Sequence, residues 1–218
     1  MLPNQTMVAP DGYEVALFPL QNLRVTQGYG PSTYSHCCGA PMDFGKTTTQ
    51  TPLYAPFSMH RTYYYNTGGH GRMYASDNPV WTPSHGLTYV SILVVHDNNP
   101  PTQTSFRQGE LFAHTGTAGN VSEHVHIETA VGQQSRQITS SVTCRGVSHR
   151  CDYIEDFAPP NTLLYVNDTN IVNGGGYSWY EYQGGQPSPT PTPGYNRDRL
   201  SLYKLWLSTN RFNGRIKL

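Results

Sequence analysis

Short apolar runs broken by turn residues set the pattern of this chain. Between residues 53 and 96 it reads as successive strands and hairpins. Segments 53–56, 61–65 and 72–76 are punctuated by Asn66-Thr67-Gly68-Gly69 and Asp77-Asn78-Pro79. Residues 89–96 form the most hydrophobic stretch, a near-continuous run that suits a central strand and ends in His96. Residues 109–114 predict another short strand, followed by the loop 115–120. Then His124-Val125-His126-Ile127-Glu128 alternates polar and apolar residues, so both histidines project from one face with Glu128 next on it. Residues 15–18 predict an edge strand, 25–27 a strand entering a Gly/Pro turn, and 162–166 a later strand. Helical spacing occurs only near the end, at Leu200, Tyr203 and Leu207. The expectation is an all-β dominated fold: an antiparallel β-sheet core with long loops and a short C-terminal tail of helical spacing.

Composition agrees with that reading. Gly (21), Pro (17) and Tyr (16) are abundant and charged residues make up only 13%, which favours short strands and turns over helices. The 218 residues suffice for one domain with a sizeable core. Fourteen basic and fourteen acidic residues cancel, and no basic stripe exists, so no nucleic-acid footprint is expected. No apolar run reaches the roughly 18 residues of a membrane span, so no membrane insertion is expected. The first residues, Met1 to Thr6, lack the basic and apolar regions of a secretory signal, so no signal peptide is expected. The division is a domain at 1–177 with its core at 20–130, a Gly/Pro-rich linker at 178–194 and a basic tail at 195–218. The tail reads either as a solvated accessory or as a docking element.

Four cysteines leave the redox state open. Adjacent Cys37 and Cys38 are rarely bridged to each other, because the ring is strained. Cys144 and Cys151 either close a hairpin or stay free. Their spacings do not suit a four-cysteine zinc site.

The paired histidines alone fit two readings, a metal or proton-transfer site and a pair of surface residues. His36 and Asp43 flank a kink containing Gly39 and Pro41 and could join His126 on one ion. Two imidazoles and one carboxylate with an open position suit catalytic zinc, which acidifies water toward a pKa of ~7. His96 and His124 suit proton transfer and oxyanion stabilisation nearby. Glu128 reads as an orienting partner for an imidazole or as a surface acid. His60, His70, His85 and His149 read as surface residues, and His114 as structural. Tyr29 or Tyr34 could donate to a reaction oxyanion.

Taken in order, these parts carry a resemblance: His36 with Asp43 in Pro41-Met42-Asp43-Phe44-Gly45, a strand ending in His96, the glycine-rich turn after His114, and His124-Val125-His126. Over residues 20–130 the constellation resembles the lysostaphin/LytM-type zinc endopeptidases. The resemblance implies an antiparallel β metallopeptidase core with one zinc ion in a groove between loops. It implies His36, Asp43 and His126 as zinc ligands and His96 and His124 as catalytic histidines beside the attacking water. The implied substrate is the peptide of bacterial peptidoglycan, in the stem or the cross-bridge. The gap from His36 to Asp43 is longer than in many members and is similar to that of some phage tail-tip lysins. Cys37 and Cys38 lie within it and are candidate alternative ligands. The implied setting is a phage lysin, either a virion tail component or an endolysin released from the host cytoplasm to the cell wall, with other phage tail proteins as partners through 195–218. The alternative is a catalytically inactive family member acting as a cell-wall-binding or phage structural protein.

Overall fold

The computed structural model describes residues 1–33 and 35–184. Tyr34, most of the expected linker and the tail with its helical spacing lie outside the described residues. Fourteen strands are described. In chain order they are β1 (Asn22–Gln27), β2 (Met42–Gly45), β3 (Pro52–Tyr54), β4 (Met59–Tyr64), β5 (Arg72–Ser76), β6 (Val80–Thr82) and β7 (Gly86–Thr88). Then come β8 (Val90–Val95), β9 (Ser105–Phe106), β10 (Leu111–His114), β11 (His124–Val131), β12 (Gln137–Cys144), β13 (Val147–Ile154) and β14 (Asn170–Asn173).

Eight strands make the main sheet in the order β14-β1-β2-β11-β8-β5-β4-β9. Every pairing in it is antiparallel except β1 with β14. Three two-stranded pairs complete the architecture: β3 with β10, β6 with β7, and β12 with β13. No helix among the described residues is long and apolar enough to cross a membrane.

The hydrophobic run of β8 is continuous because both of its faces are covered. Ile92 and Val94 enter the main core with Phe44, Phe57, Tyr74, Phe112, Val125 and Ile127. Leu93 and Val95 face the other way, into a smaller cluster with Met73, Ala130 and Ile154. Each such side chain, fully buried, contributes about 1.5–3 kcal/mol. On β11 the alternation divides the strand. Val125 and Ile127 point into the main core, so His124, His126 and Glu128 point to the opposite face.

Two sequence expectations are corrected. Residues 15–18 are not an edge strand. They are fully buried, with Val15 bridging to Trp81 and Leu17 to Tyr165. Residues 162–166 are not a continuous strand. Pro160–Leu163 forms α1, a single helical turn that proline at its start favours, and the chain is extended only from Leu164.

The cysteines also pair differently from expectation. Cys37 bonds Cys144 and Cys38 bonds Cys151, with Cα separations of 5.8 and 6.4 Å. Neither adjacent nor near neighbours are bridged, and no thiol is free among the described residues. The cysteines are therefore not alternative metal ligands.

Candidate metal centre

The register between β2 and β11 sets Asp43 directly opposite His126. Directly paired residues share a face with Cβ atoms about 4.5–5.5 Å apart. Here the pairing brings His126 Nδ1 to 3.1 Å from Asp43 Oδ1. His36 arrives from the loop between β1 and β2, and its Nε2 lies 3.3 Å from the same oxygen. Its other nitrogen, Nδ1, is 3.1 Å from the Gly28 carbonyl. Donation there leaves Nε2 as the nitrogen that could take a metal ion beside Asp43. A ligand atom from each of His36, Asp43 and His126 lies within 4.8 Å of the others.

The remote nitrogen of His126 is held as well. Its Nε2 lies 3.2 Å from Glu128 Oε1, and Glu128 Oε2 accepts the Ile154 N–H at 2.7 Å. Glu128 is buried, so the surface-acid reading of it is excluded. Both imidazoles thus turn one nitrogen to a fixed acceptor and the other to Asp43, the arrangement that orients histidines for a metal. Two nitrogens and one carboxylate oxygen fit a zinc ion with an open position.

Electrostatics follow from this crowding. Burial works to raise the Asp43 pKa, but hydrogen bonds from His126 and His36 outweigh it and hold the carboxyl well below the usual range. Burial works to lower the His126 pKa, yet Asp43 and Glu128 together raise it to about 10. Without a metal, a proton on His126 supplies the positive charge between two carboxylates.

Two more histidines stand beside this group. His124 Nδ1 donates to the Ser122 carbonyl at 2.6 Å, and its Nε2 is 3.7 Å from Asp43 Oδ1. His96 Nδ1 donates to the Ala118 carbonyl at 2.7 Å. The His96 and His124 ring centroids are 4.5 Å apart. Burial, with smaller contributions from His124 and His126, lowers the His96 pKa to about 4. His96 adopts φ +86°, a left-handed backbone uncommon outside glycine and recurrent at functional sites.

The glycine-rich turn after β10 explains how these two are placed. Gly116 exchanges backbone hydrogen bonds with His124 at 3.0 and 3.1 Å, while Ala118 N–H donates to the His96 carbonyl at 3.1 Å. A Cβ on Gly116 would collide with that carbonyl oxygen. Only glycine lets the turn approach His96 so closely.

The structure therefore brings all five predicted residues into one neighbourhood. Other expectations fare differently. His149, read as a surface residue, lines a cleft of about 170 Å³ with His126, Glu128 and Arg150. The backbone N–H of His114 donates to Asp97 at 2.8 Å. Tyr29 packs its ring against Tyr177, with centroids 5.3 Å apart. The Glu128–Ile154 bond and the cleft wall from β13 escaped the sequence reading. Alternation put Glu128 on the right face, but only the fold reveals what covers it.

No family model matches the chain. Among solved structures the chain is similar to a zinc-containing peptidase from Vibrio cholerae, at 14% identity and a TM-score of 0.39 over 58% of this chain and 43% of that one. It is similar to LytU at 22% identity and a TM-score of 0.40, over 64% of this chain and 82% of that one. Lysostaphin from Staphylococcus simulans matches at 16% identity and a TM-score of 0.40, over 55% of this chain and 49% of that one. In sequence the chain is 26% identical over 171 residues to Morphogenesis protein 1 of Bacillus phage B103. That match covers 77% of this chain and 44% of the phage protein, so the chain spans less than half the length of this relative.

Proposed function

We propose that this chain is a zinc-dependent endopeptidase that hydrolyses peptide bonds in bacterial peptidoglycan as part of a phage's wall-degrading machinery. The observation that carries the reading is the meeting of His36, Asp43 and His126 around one point, with His96 and His124 beside it. The inactive-member alternative has no comparable support, because none of the five positions is lost. Likeness to a phage morphogenesis protein supports the phage setting, and favours a virion component over a released endolysin. Two disulfides support work outside a reducing cytoplasm. Association with other tail proteins through 195–218 stays part of the proposal and concerns residues outside those described.

One zinc ion, bound by His36, Asp43 and His126, would supply Lewis acidity to the water and the scissile carbonyl. The chain's own residues do the rest. The Gly28 carbonyl and Glu128 hold the two ligand imidazoles in the binding tautomer. His96 and His124 each commit Nδ1–H to a backbone carbonyl, which leaves Nε2 free to exchange a proton. Burial keeps His96 neutral at working pH, so it can accept a proton from the attacking water. The same pair can return that proton to the departing amine.

The test is digestion of purified peptidoglycan with and without a chelator. New amine termini should appear, vanish on chelation and return with zinc. New glycan reducing ends without new amines would overturn the assignment.

A further inference from the structure

Hairpin β12–β13 pairs with no other strand among the described residues, yet it reaches the metal centre from two directions. Cys144 and Cys151 bond Cys37 and Cys38, the two residues that directly follow His36. Three residues beyond Cys151, the buried Ile154 N–H donates to Glu128 Oε2 at 2.7 Å. Glu128 Oε1 in turn holds His126 Nε2 at 3.2 Å. One hairpin thus fixes the loop bearing His36 by covalent bonds and the ring of His126 through a buried carboxylate. It also carries His149 and Arg150, which wall the cleft beside His126.

We propose that this hairpin is a disulfide-held clamp that positions His36 and His126 for the metal. The proposal rests on the zinc reading given above and deepens it. Cys37, Cys38, Cys144, Cys151, Glu128 and Ile154 are positioning residues in this scheme. None of them supplies a ligand atom. The main sheet already sets Asp43 against His126 through β2 and β11. The loop of His36 has no such strand register, because β1 ends at Gln27 and β2 begins at Met42. Two consecutive bridges restrain both the position and the rotation of that loop, where a single bridge would leave a pivot. The bridges also keep the four sulfurs from competing for zinc as thiolates, which are good zinc ligands.

A purely stabilising role for the bridges predicts something different, and serine variants separate the two. Serine removes the bridges without creating thiol ligands. The variant Cys37→Ser/Cys38→Ser/Cys144→Ser/Cys151→Ser and the two single-bridge variants, Cys37→Ser/Cys144→Ser and Cys38→Ser/Cys151→Ser, are compared with the full chain. Zinc affinity is measured by competition with a chelator. Far-ultraviolet circular dichroism checks the sheet, and hydrogen exchange at the Ile154 amide reports the clamp without metal. The expected result is a folded sheet, faster Ile154 exchange and a fall in zinc affinity of about 10–100-fold, the usual range for outer residues that orient ligands. Loss of one bridge should give a smaller fall.

Unchanged zinc affinity in the folded fourfold variant would overturn the clamp. So would single-bridge variants that unfold, since the bridges would then serve the fold as a whole. A wild-type chain that binds no zinc would sink the metal reading itself, whereas equal binding by wild type and variants sinks the clamp alone.

Discussion

Glu128 faces His126 Nε2 at 3.2 Å with one oxygen while its other oxygen takes the Ile154 N–H. As a carboxylate it accepts from Nε2–H, so with zinc in place of the proton on Nδ1 it would hold the remaining proton of His126 on Nε2. In Glu128→Gln the amide oxygen would keep Ile154, and the amide NH2 would donate to His126. The imidazole proton would move to Nδ1, the nitrogen that faces Asp43. Zinc affinity should fall about 10–100-fold with little change in fold, read by chelator competition and circular dichroism. Wild-type affinity in this variant would show that the contact does not set the tautomer.

Metal uptake should release a proton where an ordinary histidine would have none to give. His126 stands at about 10 in the metal-free protein, against an ordinary value of 6.5. The raised value contributes stability that is full below the ordinary pKa and is lost as pH rises through about 10. At about pH 8 zinc must therefore expel about one proton from His126, and zinc affinity should rise with pH across this window. Calorimetric titration in buffers of different ionisation enthalpy counts that proton. A count near zero would place His126 in its neutral form.

Gly116→Ala should abolish the proposed peptidase activity without loss of the proposed zinc. The new methyl would strike the His96 carbonyl and crowd Asn98, and the turn's backbone hydrogen bonds go to His96 and His124, not to the three proposed ligands. Forced overpacking of this kind costs about 1–3 kcal/mol. Thermal melts should show that loss, activity should drop steeply, and zinc content should hold.

The two histidines of β11 should separate in mutants. His126→Ala should lose both zinc and activity. His124→Ala and His96→Ala should keep most zinc and lose about 10²–10⁴-fold in rate, the range for a positioned proton-transfer group. Zinc lost equally from all three would place His96 or His124 among the ligands.

Much of this was legible along the chain because the site follows strand arithmetic. Alternation put His124, His126 and Glu128 on one face, and the unbroken run before His96 announced a strand buried on both sides. What stayed hidden depends on contacts between distant segments. The partners of Cys37 and Cys38 lie 107 and 113 residues away, and no local pattern encodes such a pairing. Residues 15–18 looked like an edge because apolar content does not say how many neighbours will cover a segment. Burial of Glu128 was likewise invisible, since Ile154 belongs to a hairpin whose docking is tertiary.

The separateness of β12–β13 has an evolutionary consequence. The Asp43–His126 register is written in β2 and β11, whereas one wall of the cleft is written in residues 137–154. Substitutions at Arg150 and Asp152, exposed hairpin residues that line the cleft, can reshape what it admits without shifting that register. Cys144 and Cys151 bond the two residues after His36, and Ile154 holds Glu128 beside His126. On the proposed function, substrate preference and metal chemistry would then be set by separate stretches of chain.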